Sequence, residues 1–429
     1  MDAFRIEGGV RLAGTVRAAG NKNAALPILA ACLLTEEPVT LQNLPDIGDV
    51  RTMLEILVGL GVSVERLGPG RVRLVAKGAL EHSPDPTLTS RIRASFLLAA
   101  PLAVRSGSCR IRRPGGDVIG RRRLDTHVVA LRALGMHVDI EATEYVLEAP
   151  ARLGAASIFL DEASVTATEH AITGAVLARG TTLVRNAASE PHVQELCRFL
   201  VALGARIEGI GTNVLSIEGV ERLGGCEHTI GPDHIEVGSW IGLAAVTGST
   251  LRIQDAAPPE DHEMIALGFA RLGVRWRIEG RDLVVPGEQE LCVADDIGGA
   301  ISKIDDAPWP GFPADLMSIA AVVATQAKGT ILIHEKMFES RLFFVDKLVA
   351  MGARIVLCDP HRAVVIGPSR LRGAELSSPD IRAGMALLIA ALCAEGTSTI
   401  HNVRQIDRGY EHIDERLRGL GARITRVAD

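Results

Sequence analysis

The sequence predicts an α/β protein of two similar domains, each assembled from three repeated units. Three observations carry this: a glycine signal recurs six times, a β-rich signal recurs six times out of phase with it, and 429 residues are too many for one ordinary core. The glycine signal is a Leu or Met, a Gly, then alternating residues. It occurs at Gly61 (LGVSV), Gly135 (LGMHV), Gly204 (LGARI), Gly273 (LGVRW), Gly352 (MGARI) and Gly421 (LGARI), at separations of 74, 69, 69, 79 and 69 residues.

Apolar residues at helical spacing precede each of these glycines, and glycine ends a helix by adopting the left-handed conformation without a β-carbon penalty. The alternation after it reads as a strand. The second signal is an Ala/Leu-rich stretch, a small or turn residue and a short β-rich run. It appears as EPVTLQN, GSCRIRR, GTTLVRN, GSTLRIQ, GTILIHE and GTSTIHN, beginning at Glu37, Gly107, Gly180, Gly248, Gly329 and Gly396. Each unit is therefore expected to run strand, helix, strand, helix, strand, and to need its neighbours to cover its apolar faces. The turn-rich Gly231-Pro232-Asp233 marks the midpoint. The expected domains are 21–231, and 1–20 together with 232–429. Clefts between domains favour small-molecule sites, so the two halves are expected to close on a ligand.

Composition narrows the function classes. Apolar residues are 47% and charged residues 23%, a globular balance. Lys and Arg number 46 against 52 Asp and Glu, a net charge of −6, so any anion site must be local and nucleic acid is not an expected partner. Seven cysteines without CxxC or metal-ligand spacing fit reduced thiols in the cytoplasm. The start MDAFRIEGG lacks the basic, then apolar, character of a signal peptide, and no apolar run reaches the ~20 residues of a membrane span. No P-loop, GxGxxG, HExxH or serine-triad signature is present, so neither a metal nor an organic cofactor is expected.

Four segments depart from the repeat grammar, and their chemistry converges on anions. Gly20-Asn21-Lys22-Asn23 opens an apolar helix, where free N–H groups, a positive dipole end and a mobile Lys22 suit phosphate or carboxylate. Arg110 to Asp125 sets Arg110, Arg112, Arg113, Arg121, Arg122 and Arg123 around Asp117, in a Gly-rich stretch read as a flexible lid without a packing role. Pro313-Ala314-Asp315 brings a carboxylate into an apolar helix, as a helix-start residue or a general base. Glu339-Ser340-Arg341, Asp380-Ile381-Arg382 and Asp407-Arg408-Gly409-Tyr410 are acid–arginine pairs at matching points of the repeat, expected to face one cleft.

Taken in order along nearly the whole chain, KNAALP, RIRAS, PGGDVIGRRRLD, FPADL, FESR, DIRAG and IDRGYEHI resemble the bacterial enolpyruvyl transferases of cell-wall synthesis, the MurA family. The resemblance implies a two-domain inside-out α/β barrel built from six related units. It implies transfer of the enolpyruvyl group of phosphoenolpyruvate to the 3-hydroxyl of UDP-N-acetylglucosamine, the first committed step of peptidoglycan synthesis, in the cytoplasm and without a cofactor. By motif, Lys22, Asn23, Arg122 and Arg408 match the phosphoenolpyruvate site. The UDP-sugar site is matched by Asn23, Arg93, Arg122, Arg123, Leu124, Asp125, Ser164, Val165, Asp315, Met337, Arg341, Asp380 and Arg382. Asp315 matches the carboxylate that takes the 3-hydroxyl proton. Asp117 stands where most members carry the lid cysteine that serves as acid, and Lys22 and Arg408 complete the catalytic set.

Glu162, Ser189, Gln405 and Arg123 stand where the family usually has Lys, Arg, His and Pro. Glu162 and Ser189 support an alternative, a paralogue acting on another nucleotide. A second alternative is a catalytically silent binding paralogue, against which the joint presence of Lys22, Arg122, Asp315 and Arg408 speaks. The implied chemistry is addition followed by elimination of phosphate, with a positioned base and acid.

Overall fold

The computed structural model describes residues 2–116, 120, 123–256 and 258–428. Among these the chain divides into two compact units, one of residues 2–19, 120, 232–256 and 258–428, the other of residues 20–116 and 123–231. The described strands form six sheets, three in each unit, so each repeat becomes one sheet.

In the third repeat the strands Ser157–Phe159, Thr181–Arg185, Val214–Glu218 and Arg206–Glu208 lie side by side in that order. The helices Val165–Ala175 and Pro191–Ala202 connect them. Ser157–Phe159 runs parallel to Thr181–Arg185, and the remaining neighbours are antiparallel. The β-rich signal forms the strands Val39–Gln42, Thr181–Arg185, Thr250–Gln254, Gly329–His334 and Thr397–His401, each inside its sheet. Ser108–Arg112, the sixth, lies at an edge, where Arg110 N–H reaches only the His82 carbonyl at 2.9 Å.

The expected unit is one strand short. After each Leu/Met-Gly strand the chain turns back, giving Arg71–Val75, Glu144–Glu148, Val214–Glu218, Asp282–Val285 and Arg362–Gly367. Strands of three to six residues joined by tight turns share one period-2 pattern, so sequence alternation merges the two arms of the hairpin. In the sixth unit the antiparallel partner of Arg423–Ala428 is the strand Asp2–Glu7, with Phe4 opposite Arg426. That pairing places the amino terminus in the carboxy-terminal unit.

The six signal glycines have φ between 80° and 104°, the left-handed region that the sequence reading assigned them. Asn43, Asn186 and Asn402, which close the β-rich signal, also have positive φ. Each donates its side-chain N–H, at 2.8 Å, to the carbonyl of Ile230, Leu160 or Ser378 beyond the neighbouring parallel strand. A turn residue thereby pins the end of one strand to the next.

Helices occupy the centre of each unit. His234–Thr247, Met317–Gln326 and Ile381–Cys393 pack on one another and are buried on nearly every side. Lys22–Ala31, Arg93–Leu98 continuing into Ala99–Ser106, and Val165–Ala175 form the corresponding core of the other unit. A helix apolar all round must be covered all round, and the sheets do this from outside. This is the inside-out α/β barrel that the resemblance implied. Among the described residues no helix is long and apolar enough to cross a membrane.

Candidate active site

In each unit several motif residues lie at or beside the amino-terminal ends of central helices, where the positive end of the helix dipole favours negative charge. In the carboxy-terminal unit Asp315 sits in the turn Ala314–Leu316 that leads into Met317–Gln326. Arg341 Nη2 donates to its Oδ1 at 3.1 Å, and Arg382 Nε to its Oδ2 at 3.0 Å. Asp380 caps the helix Ile381–Cys393 by accepting from Arg382 and Ala383 N–H at 2.8 and 2.9 Å. Arg382 Nη1 also donates to the Tyr410 hydroxyl at 3.2 Å, and that hydroxyl lies 3.0 Å from Ser239 Oγ.

Both arginines are almost completely buried, 4% and 5% exposed, whereas Asp315 keeps partial access. Burial works against their charge and the Asp315 carboxylate overcomes it, holding both guanidiniums above the ordinary arginine range. The result is one carboxylate oriented by two fixed cations at a helix start. Burial pushes the neighbouring Asp233 carboxyl up, against Arg382 and the N–H groups of Glu236 and Ile235.

Each acid–arginine segment reaches a partner outside itself. Arg341 and Arg382 turn to Asp315, Asp407 pairs with Arg426 at 2.8 Å, and Arg408 Nη1 donates to Gln405 Oε1 at 2.8 Å. Gln405, at the usual histidine position, is thus a direct support of Arg408. Met337 is 37% exposed, and its N–H donates to Asp306 Oδ2 at 3.3 Å.

In the other unit Asn21 caps Lys22–Ala31, accepting from Asn23 and Ala24 N–H. Lys22 is not the mobile cation expected. It is 8% exposed, and its Nζ lies 2.8 Å from Asp49 Oδ2. Asp49, in the first turn of Gly48–Gly59, was missed in the sequence because a lone acid there reads as a dipole-serving residue. Breaking a buried pair leaves its partner's charge uncompensated, so Lys22→Ala should cost ~3 kcal/mol of stability. Lys22→Arg should cost less; chemical denaturation checks the order.

Ser164 caps Val165–Ala175, and Leu124 and Asp125 start the helix Asp125–Ala133. Arg123 bonds Asp125 at 3.1 Å, and Glu162 is exposed. Arg93 Nη2 donates to the Arg123 carbonyl at 3.3 Å. The Pro-Gly-Gly stretch does have a packing role: a β-carbon on Gly115 would meet the Ser90 carbonyl at 1.8 Å, and one on Gly116 the Arg93 β-carbon at 3.0 Å. Both ends of the arginine-rich loop are therefore seated on the segment that carries Arg93. Arg110 pairs with Glu144 and Arg113 lies over Tyr145, so these two arginines brace the sheet. Asp117, Arg121 and Arg122 lie outside the described residues.

Sequence reasoning also missed a buried pair behind Ser164, His127 and His170, whose Nδ1 atoms are 2.9 Å apart. His127 Nε2 lies 3.0 Å from Thr166 Oγ1, and Phe96 packs edge-on against His127. Burial pushes His170 down to about 4; burial, then His170 and Arg93, hold His127 well below the ordinary range. A histidine with a depressed folded-state pKa contributes stability that is complete above its unfolded value of about 6.5 and is lost as pH falls toward the folded one. From His170 this amounts to ~3 kcal/mol. The melting temperature should fall from about pH 6.5 downward, and His170→Gln should flatten that slope. A slope unchanged in His170→Gln would place the acid sensitivity elsewhere.

A family model described as EPSP synthase (3-phosphoshikimate 1-carboxyvinyltransferase) matches residues 6–417. This chain belongs to the EPSP synthase family. Within that family, the UDP-N-acetylglucosamine 1-carboxyvinyltransferase of Bradyrhizobium diazoefficiens is 59% identical over 426 residues, spanning 99% of this chain and 98% of the relative. The enzyme of the same name from Treponema denticola is 55% identical over 424 residues, 99% of each chain. Among solved structures, the enolpyruvyl transferase NikO from Streptomyces tendae superposes with a TM-score of 0.87 at 26% identity, covering 100% of this chain and 99% of that one. An EPSP synthase from Acinetobacter baumannii covers both chains completely at a TM-score of 0.77 and 18% identity, which speaks to the fold alone. The enolpyruvyl transferase fold expected from the motifs is the fold of this family member.

Proposed function

We propose that this chain transfers the enolpyruvyl group of phosphoenolpyruvate to the 3-hydroxyl of UDP-N-acetylglucosamine, releasing phosphate. The observation that carries the reading is Asp315, held at a helix start by Arg341 and Arg382, in a chain that matches carboxyvinyltransferases of that name along its whole length. Asp315 takes the hydroxyl proton as the oxygen attacks the central carbon of phosphoenolpyruvate, and Asp117 protonates the methylene carbon. The tetrahedral adduct then expels phosphate as the Asp117 carboxylate takes a proton back from the new methyl group, which restores the carbon–carbon double bond. Lys22, Asn23, Arg122 and Arg408 hold the phosphoenolpyruvate anions and the departing phosphate, which is electrostatic catalysis by preorganised charge. Arg93, Arg123, Leu124, Asp125, Ser164, Val165, Met337, Arg341, Asp380 and Arg382 receive the sugar nucleotide. The substrates are small molecules, and the compartment is the cytoplasm, where the first committed step of peptidoglycan synthesis has its nucleotide precursor.

The 59% identity, over 99% of this chain, to a relative named UDP-N-acetylglucosamine 1-carboxyvinyltransferase supports this acceptor over another nucleotide. Purified protein should release phosphate from phosphoenolpyruvate when UDP-N-acetylglucosamine is present and far more slowly without it. Turnover only with a nucleotide lacking the sugar would transfer the assignment to the other acceptor class, and no turnover with any acceptor would end the enzyme reading.

A further inference from the structure

Beside Arg341 lies a second carboxyl group that the reaction as described does not use. Glu335 is 0% exposed, and so is Asp306 beside it. Neither Glu335 oxygen has a hydrogen-bond donor among the described residues, and the Asp306 carboxyl acts to hold the Glu335 carboxyl up. Asp306 is an acceptor there, taking the N–H groups of Lys336 and, at 3.3 Å, Met337. Arg341 Nε lies 3.9 Å from Glu335 Oε2, too far for a hydrogen bond, while Arg341 Nη2 lies 3.1 Å from Asp315 Oδ1. Arg341 is therefore shared in position between two carboxyl groups and bonded to one.

We propose that Glu335 is a positioning residue: as a neutral acid sharing its proton with Asp306, it leaves Arg341 committed to Asp315. Two adjacent buried carboxyl groups do not both ionise, because each negative charge disfavours the other. Were Glu335 an anion, it would attract Arg341 at short range in a poorly screened interior and compete with Asp315 for the same guanidinium. Burial first, and then Asp306, push Glu335 up to about 10, against Arg341, so the acid form prevails at ordinary pH.

The other charged groups around Glu335 are engaged elsewhere. His361 turns its Nδ1 to the Glu335 backbone carbonyl and its N–H to Asp359, while Arg362 pairs with Asp359. Lys336 and Lys303 both reach Asp305.

The inference rests on Asp315 as the base, and its test separates the two. In wild type, infrared spectroscopy at neutral pH should show the carbonyl band of a protonated carboxylic acid that Glu335→Gln lacks. Asp306→Asn removes the like charge and supplies an amide donor, letting Glu335 ionise. On top of the wild-type pH dependence, turnover of Asp306→Asn should then show a further step down of about tenfold or more as pH rises from about 6 to 9. The double variant Asp306→Asn/Glu335→Gln should lose that step, because glutamine keeps the shape of the neutral acid and cannot ionise. Glu335→Ala should lose turnover that Glu335→Gln retains. Absence of the acid band from wild type, or an Asp306→Asn profile that coincides with wild type at native melting temperature, overturns the proposal. If Asp315→Asn turns over normally, the base assignment falls and this proposal with it; if Asp315→Asn is inactive while the profiles coincide, only this proposal falls.

Discussion

Asp315→Asn is expected to lose about 10²- to 10⁴-fold of turnover, the range supplied by one positioned acid or base. Asparagine preserves the shape of the side chain and part of its hydrogen bonding, but it cannot accept the 3-hydroxyl proton. The variant also leaves the guanidiniums of Arg341 and Arg382, buried to 4% and 5% exposure, without the carboxylate they converge on. Some loss of stability should accompany the loss of rate. Turnover is therefore to be compared at a temperature where the variant's melting curve shows it fully folded. A folded Asp315→Asn protein with rates within a few fold of wild type would remove Asp315 from proton transfer.

Asp117 is expected to have the second large effect. A free aspartate has a pKa of about 3.9, so service as an acid near neutrality demands an upward shift of two or more units, ~3 kcal/mol. The arginines near it in the sequence would oppose it. Bound phosphoenolpyruvate favours it, because its phosphate and carboxylate bring negative charge and exclude water. Asp117→Asn should lose at least about 10²-fold in turnover. The same residue predicts that wild type resists covalent modification by fosfomycin, an epoxide captured by the thiolate of family members with cysteine, since a carboxylate is the weaker nucleophile. Asp117→Cys should keep activity and become alkylated. Mass spectrometry after fosfomycin treatment, beside the turnover of all three proteins, tests both parts, and near-normal turnover of Asp117→Asn would exclude Asp117 as the acid.

The helix starts were legible because their chemistry is local. Lys22, Asn23, Ser164, Asp315, Asp380 and Arg382 are each at or next to the first residue of a buried helix, where capping and dipole preferences act over a few residues. Partner choice was not legible. Arg382 sits two residues from Asp380 and meets its backbone cap, yet its guanidinium crosses to Asp315, 67 positions away. Likewise Lys22 finds Asp49 on a different helix, and His127 finds His170 across the core. A sequence lists charges in order, while an ion pair depends on where the backbone brings them.

The repeat and its turns belong to the sequence alone. Six glycines at near-constant spacing, each needing a left-handed backbone, and six β-rich runs determine six α/β units, because these are local conformational requirements that no packing partner alters. What closes each sheet was decided only in three dimensions. The return strand became visible as a hairpin arm, and the last unit borrows Asp2–Glu7 from the other end of the chain, since an edge strand satisfies its backbone hydrogen bonds with whichever strand the fold places beside it. The same holds for the site. Residue types named the anion chemistry, but only the fold brought Arg341, from a turn, and Arg382, from a central helix, onto one carboxylate, with Glu335 beside Arg341.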